Sequence, residues 1–455
     1  MLNRSDVLEL VQDRLWPALH QERTRLEQID RWYRWDHEDV TIPRGATPEL
    51  RSLLQLSKTP WLGLVVTNVA QAMYVDGYRT PEAGDNTEGP WRLWQANDLD
   101  GRQTAIHRAM LAYGQCYATA LPGTDDTGRQ TAVLRGVSPR KMLAFYADPA
   151  EDDWPMYALR AEPTVGQPQT FRLYDEEAVY YLGWETTGTG SKLVYLEDRV
   201  HDVGVCPVVR YSNQLDLDGR SSGEVEPFIP LAKRIDKTTY DRLLIQHYNS
   251  WTVRTVSGMA APDVEEEANR AKLKLRQDDI LIAEDPDTKF GTLPGTPMDG
   301  IIRAGEADIK ALAAASQTPT HALTGDLINI GPEALAAARA ELDAKKAERQ
   351  KGAGKSHDQL LRVGSLIDGD VDAARDVMAH VTWADTSVRS MASAADALGK
   401  MATMLGVPVK ALWAMIPGVS KSDVTEWETM AAEDDAIGNL TALLEQQSSV
   451  PPPAE

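Results

Sequence analysis

Cys206-Pro207-Val208-Val209-Arg210-Tyr211-Ser212-Asn213 divides the chain into two kinds of sequence. Its β-branched and aromatic residues close a series of short strand-like runs, and a helical pattern begins just beyond it. Upstream, the runs 115–120, 132–137, 171–174, 179–183, 193–196 and 205–211 are separated by Asp-Asp, Gly-Thr-Gly and proline turns. Closely spaced strands with no helix between them predict an antiparallel meander. Downstream, Pro227 and Pro230 fit a first helical turn, with Phe228, Leu231 and Ile235 sharing a face. Tyr240, Leu244, Tyr248 and Trp251 continue that helix at spacings of four, four and three. Its length is about 37 Å.

The same periodicity places helices elsewhere. The first 35 residues read as helical and end in Trp32-Tyr33-Arg34-Trp35. Thr59-Pro60 reads as an N-cap followed by proline at the first helical position, with Leu62, Val65, Val66, Val69 and Met73 on the buried face. Gly77 is expected to end that element. Another helix covers 101–113, with Gly114 just past its end. After the helix that follows Asn213 comes a compact insertion, 252–300, then a second helix, 301–316, with Ile302, Ile309, Leu312 and Ala313 inward. A polar break at 318–332 precedes an alanine-rich charged helix, which Gly352 and Gly354 are expected to kink. Near the C-terminus Met391, Ala394, Leu398, Met401 and Leu405 form a 3-4-3-4 seam suited to another helix. The last residues, Ser-Ser-Val-Pro-Pro-Pro-Ala-Glu, read as disordered.

Motifs for chemistry fail on inspection. Gly352-Ala353-Gly354-Lys355-Ser356 resembles the end of a phosphate-binding loop, but Arg349 stands where the pattern needs its first glycine. Asp216-Leu217-Asp218-Gly219 has the look of a calcium loop, but Gln214 and Val225 occupy its first and last ligand positions, so a turn is expected. The 8 histidines are scattered, the 2 cysteines form no CxxC pair, and no GxSxG elbow occurs. No metal, cofactor or catalytic residue is expected. The N-terminus has no apolar run to serve as a signal peptide, and the strongest apolar run, 61–66, is too short to span a bilayer. These features predict a soluble protein made inside the cell, with no membrane partner.

The formal net charge is −21. A protein that grips DNA tightly carries a basic footprint, because neutralising phosphates supplies most of the affinity. If this chain meets DNA, it guides it and does not hold it. One local exception is Arg270, Lys272, Lys274 and Arg276, which reads either as a solvated helix face or as a patch facing DNA or an acidic partner.

An ordered series of segments resembles the portal proteins of tailed bacteriophages, in the siphovirus branch common among phages of actinobacteria. It runs from Val66-Thr67-Asn68 and Val75-Asp76-Gly77-Tyr78-Arg79 through Trp94-Gln95-Ala96-Asn97-Asp98-Leu99-Asp100. Ala112-Tyr113-Gly114-Gln115-Cys116-Tyr117, Val137-Ser138-Pro139-Arg140 and Tyr146-Ala147-Asp148 follow. Then come Cys206 to Asn213, Gly219-Arg220-Ser221, Gln317-Thr318-Pro319, Leu323-Thr324-Gly325 and Asn329. Ser221-Ser222-Gly223-Glu224 departs from the tighter Gly-Arg-Ser-Glu of the family.

The resemblance implies an α+β portal fold. Its parts are a mixed helix and antiparallel-sheet wing (1–221 and 333–385), stem helices (222–251 and 300–317) and a small α/β clip (252–299). A tunnel loop (318–332), a helical crown (386–446) and a disordered tail (447–455) complete it. It also implies a homo-oligomeric ring of about a dozen subunits, closed by heterologous contacts. Such a ring sits at one capsid vertex and passes double-stranded DNA non-specifically. Terminase large subunit, head–tail adaptor, major capsid protein and scaffolding protein are its implied partners, with assembly in the host cytoplasm. His321, Thr324, Asp326 and Asn329 are the implied lumen-facing residues of the tunnel loop, unless they only satisfy the loop's own backbone. Another virion structural or adaptor protein is the alternative, and a cytosolic hydrolase with a dispersed carboxylate site is a further one.

Overall fold

A computed structural model of the chain describes residues 1–37, 47–80, 84–85, 89–124, 128–162, 169–187, 190–250, 254–257, 287, 289–292, 295–325, 332–384, 391–416, 419, 423–424 and 426–431. Helices and antiparallel sheets mix along it, as the α+β reading expects. Helix α1 (Arg4–Glu9) starts where the Asp6 amide donates to the Asn3 side chain. A π-helical turn, Leu10–Leu15, joins it to α2 (Trp16–Tyr33). Val7, Val11, Leu15 and Leu19 form one buried row along this rod. Helix α3 (Pro48–Ser57) is capped by Thr47. Helix α4 (Trp61–Ala70) buries Leu62, Val65, Val66 and Val69 as expected. Thr59 does not cap it: its carbonyl accepts from the Trp61 amide, and Pro60 precedes the first helical residue.

Gly77 does not end this helix. It lies inside strand β1 (Val75–Thr80), which pairs with β2 (Gly84–Asp85) on one side. On the other side it pairs with a strand some 300 residues away, so no local pattern announces it. Helices α5 (Pro90–Ala96) and α6 (Leu99–Tyr113) follow. Then β3 (Gln115–Thr124) and β4 (Gln130–Val137) form a hairpin whose far neighbour is β10 (Val208–Ser212), in the order β10-β3-β4.

Two glycines let the halves of the chain meet. Gly114 has φ +90°, and a Cβ there would lie 2.6 Å from the Ser221 carbonyl oxygen. A Cβ at Gly223 would lie 2.5 Å from the Ala112 carbonyl oxygen. The end of α6 and the segment opening the helical half thus cross backbone to backbone, which only glycine permits.

The meander is β5 (Met142–Phe145), β6 (Tyr157–Glu162), β7 (Thr170–Tyr174), β8 (Ala178–Thr187) and β9 (Gly190–Val200), paired in chain order. β5 and β6 were not among the expected strands. Met-Leu-Ala-Phe and Tyr-Ala-Leu-Arg-Ala-Glu are mostly helix formers, and pairing of β6 with β7 and of β5 with β6 overrides that preference. One face of the sheet, through Leu159, Phe171, Leu173, Tyr180 and Leu182, packs on the α1–α2 row. Part of the other packs on β3 and β10 through Tyr117, Met142, Tyr174, Val179 and Val208. The Asp216-Leu217-Asp218-Gly219 stretch is a turn, with the Arg220 amide donating to the Asp216 carboxylate at 2.7 Å.

Beyond it lie α7 (Ile229–Asn249), β11 (Arg254–Ser257), β12 (Lys289–Thr292), α8 (Asp299–Ala315) and the short α9 (Thr320–Thr324). Ile302, expected inward, is 39% exposed, and Tyr248 on α7 is 59% exposed. Helix α10 (Pro332–Asp368) runs 37 residues without interruption, about 55 Å. Gly352 and Gly354 serve packing instead: a Cβ at Gly354 would contact Trp383 and Val381, and one at Gly352 the Ser212 carbonyl. Gly352 to Ser356 is therefore helix and not a phosphate loop.

Short α11 (Val371–Arg375) leads to β13 (His380–Trp383), the partner of β1. Helices α12 (Met391–Leu405) and α13 (Val409–Leu412) follow, and Trp413 meets Trp427 edge-on at 6.1 Å. In the expected seam of α12, Ala394 is buried and Leu405 is 73% exposed.

The main core gathers α4, α5, α6, the β3 sheet and α10 around Trp94, Tyr211, Leu360 and Leu361. Each large side chain fully buried there contributes about 1.5–3 kcal/mol. Its polar centre is a chain of hydrogen bonds. His107 Nδ1 donates to the Met73 carbonyl at 3.2 Å, so its Nε2 accepts from His357 Nε2 at 2.9 Å. His357 Nδ1 then accepts from the Tyr211 hydroxyl at 2.9 Å. Both rings are neutral in this arrangement.

No described helix is long and apolar enough to cross a membrane. Cys116 and Cys206 are buried free thiols, and burial pushes both well above the usual thiol range.

Candidate functional site

Helices α7 and α8 lie side by side and antiparallel. Arg234 Nε is 2.9 Å from Asp308 Oδ1, and Thr238 donates to Asp308 Oδ2 at 3.1 Å. Gly305 faces Thr238 across the pair, where an added Cβ would make ordinary contact with the Thr238 methyl at 3.7 Å. At the far end the Asn249 amide brackets Thr296, donating to its carbonyl at 2.9 Å and accepting from its amide at 3.0 Å. Between the two helices β11 and β12 pair antiparallel. Within 252–299 the described residues are thus held by the β11–β12 pair and by the clamp of Asn249 on Thr296.

At the other end of the pair sits Glu224, 4% exposed. Its Oε2 accepts from Lys345 Nζ at 2.6 Å, and its Oε1 lies 3.3 Å from Arg349 Nε and 3.2 Å from Asn213 Nδ2. Lys345 also donates to the Ser316 carbonyl at 2.8 Å. Burial holds the Lys345 ammonium below the usual lysine range, and Glu224 works against that shift. One carboxylate therefore ties the approach to α7, the end of α8 and the middle of α10. His37 adds a tie from the N-terminal rod: it stacks on Trp32 and contacts Asp236 of α7 at 2.7 Å, both buried.

The Ser316 carbonyl is free for Lys345 because α8 stops there. Gln317 takes φ +52°, the Thr318 amide donates back to Ala313, and the Gln317 amide to Ala314. This is a Schellman stop with glutamine where glycine is usual. Pro319 starts α9, whose Leu323 is buried in the main core. The expected polar break at 318–332 therefore contains a fixed helical turn. Gly325, φ +74°, closes it.

His321 and Thr324 both line a cleft of about 500 Å³ between α8, α9 and α10, which also meets Lys310, Gln317 and Glu341. Thr324 donates to the Thr320 carbonyl at 3.1 Å. Asp326 and Asn329 lie outside the described residues, as do Arg270, Lys272, Lys274 and Arg276. Glu224, Lys345, Arg349 and Gln317 are not among the site residues expected from sequence. Lys345 and Arg349 are one turn apart on a charged helix, the ordinary pattern of a solvated face, and their counter-charge is more than a hundred residues away.

Among the described residues no group of His, Cys, Asp and Glu side chains is gathered to hold a metal ion. What the geometry offers is a mechanical arrangement: two clamped helices, a strand pair that follows one and precedes the other, and a helical turn beside a buried ion cluster.

The model of the family described as phage portal protein, SPP1 Gp6-like, matches residues 12–439. The portal protein of Mycobacterium phage D29 is 24% identical over 413 residues, covering 86% of this chain and 82% of that one. The portal protein of Mycobacterium phage L5 is 24% identical over 382 residues, covering 80% and 74%. Among solved structures, a chain from the neck of an empty GTA particle is 11% identical with a TM-score of 0.39, covering 85% of this chain and 94% of that one.

Proposed function

The chain belongs to the phage portal protein family of the SPP1 Gp6-like type, and we propose on that premise that it is one subunit of a ring at a single capsid vertex. The ring is the channel through which double-stranded DNA is packaged and ejected, and it contains about a dozen copies in closed heterologous contact. It is a virion component, and the family is structural.

The observation that supports this reading is the clamped antiparallel pair of α7 and α8, joined in sequence through the antiparallel strands β11 and β12. These helices form the stem. Residues 252–299 form the clip, which receives the terminase large subunit and later the head–tail adaptor, with Arg270, Lys272, Lys274 and Arg276 facing an acidic partner or DNA. The three sheets β13-β1-β2, β10-β3-β4 and β5 to β9, with the N-terminal rod and α10, form the wing, which faces major capsid and scaffolding proteins. The region after 386 forms the crown, and 447–455 is its tail. The net charge of −21 suits a conduit, because an acidic wall does not hold phosphate.

Residues 318–332 form the tunnel loop, with His321, Thr324, Asp326 and Asn329 toward the lumen. Leu323 belongs to the core, so a deletion that tests the loop must spare it. Removing 326–330 should leave ring assembly intact and lower the amount of DNA packaged per particle. Full-length packaged DNA from that variant, read on a pulsed-field gel, would refute the assignment.

A further inference from the structure

Helix α12 has a polar half and an apolar half. At 3.6 residues per turn, Asp396, Gly399, Lys400 and Thr403 share one side. Lys400 pairs there with Asp396 at 2.6 Å, and Thr403 donates to the Gly399 carbonyl at 2.7 Å. The other side begins at Ala397 and Met404, crosses Leu398, Met401 and Leu405, and ends at Ala395 and Ala402. That arc takes roughly half the circumference, whereas a stripe of about 100° serves a helix that faces one core. Within its own chain α12 packs on α13, with Ala394 and Leu412 buried. The flanks stay open: Met404 is 77% exposed, and Ala395 and Ala397 are exposed too. A helix of 15 residues is marginal alone, so its apolar half needs neighbours on both sides.

We infer that α12 packs side by side with the α12 of a second copy of the chain, the Met404 flank of one against the Ala402 flank of the next. The inference rests on the ring reading above and names one of its contacts. Two different flanks of one helix that meet in succession make a heterologous contact, the kind that closes into a ring. The flanks differ in size as such a contact requires. Met404 is a long, adaptable knob, and Ala402, about 3 Å away along the axis on the opposite flank, leaves the hole. Charge favours a second copy as the occupant. Asp396 and Lys400 are the only charges between 391 and 405, and they pair with each other on the polar half. Copies that carry −21 each therefore meet here without repulsion.

Two measurements on the full chain test the contact. Met404→Lys, at an exposed position outside the main core, should keep a native circular dichroism spectrum and lower the ring fraction at least about tenfold in sedimentation velocity. Separately, Ala402→Cys and Met404→Cys chains, one with a size tag, are assembled together and treated with a short bismaleimide. Cys116 and Cys206 are buried, so quenching before denaturation confines the reaction to the new thiols. A covalent mixed dimer on a denaturing gel is expected, and none from either variant alone. Rings undiminished in Met404→Lys overturn the contact. Rings of the mixed chains without the mixed dimer also overturn it and leave the face to another virion protein. A dimer of one variant with itself overturns it too, because like flanks would then meet. A wild-type chain that forms no rings refutes the ring reading itself.

Discussion

Replacing Glu224 by alanine should destabilise the protein by about 3–5 kcal/mol, the cost of leaving buried charge without its partner. Lys345 and Arg349 are each 3% exposed at the side chain, and they would share no buried carboxylate after the change. Glu348 does not replace it: it reaches Arg349 Nη1 from a side chain that is 68% exposed. The loss is large beside the roughly 5–15 kcal/mol that holds a domain folded. Lys345→Met should cost less, because Glu224 keeps Arg349 and Asn213 and the methionine fills much of the same space. The denaturant midpoint, followed by tryptophan fluorescence, reads both. A Glu224→Ala midpoint equal to that of the wild type would mean that the cluster does not join the three helices.

Acid should act on the fold through His107 and His357. Burial holds His107 down to about 4 and His357 well below the usual imidazole range. In the unfolded chain both rings titrate near 6.5. Between those values the unfolded state binds protons that the folded state refuses, so stability falls as the pH drops from about 6.5 toward 4. His107 alone accounts for about 3 kcal/mol of that loss.

Asp358, next in sequence to His357, opposes it. Burial holds its carboxyl up to about 6, despite the Val381 amide, His380 and Arg362 nearby. The folded state therefore gains protons at Asp358 in the same window, which is stabilising as the pH falls. The remaining polar neighbours of the pair are the Tyr211 hydroxyl and the Met73 carbonyl, which do not change charge there. Asp358→Asn should make the loss of stability between pH 6.5 and 4 steeper, and His107→Gln should make it shallower. Parallel pH profiles for all three proteins would rule out this account.

The regular elements were legible in the sequence because they follow short-range rules. Leu62, Val65, Val66 and Val69 announce α4 by their spacing, and the turns after Val137 and Tyr174 punctuate the strands. What stayed hidden depends on distant partners. β1 is ordered by β13 from the far end of the fold, and Gly77, a breaker by local rules, sits within it. Gly352 and Gly354 look like a kink until Ser212 and Trp383 are seen packed against them. Of the implied tunnel-loop residues, His321 and Thr324 do share one cleft, whereas the ion cluster that roots the loop shows no local signal. Lys345 and Arg349 read as solvent-facing because a helix carries no mark of a carboxylate that arrives from another element.

The central claim is that the helical segment from Glu224 onward builds the wall of a channel. Electron microscopy of the purified full-length chain tests it most directly. The account predicts closed rings with a central hole wide enough for a DNA duplex, with α7 and α8 lining the narrow part. A stable monomer, or rings whose wall is built by the five-stranded sheet, would contradict it.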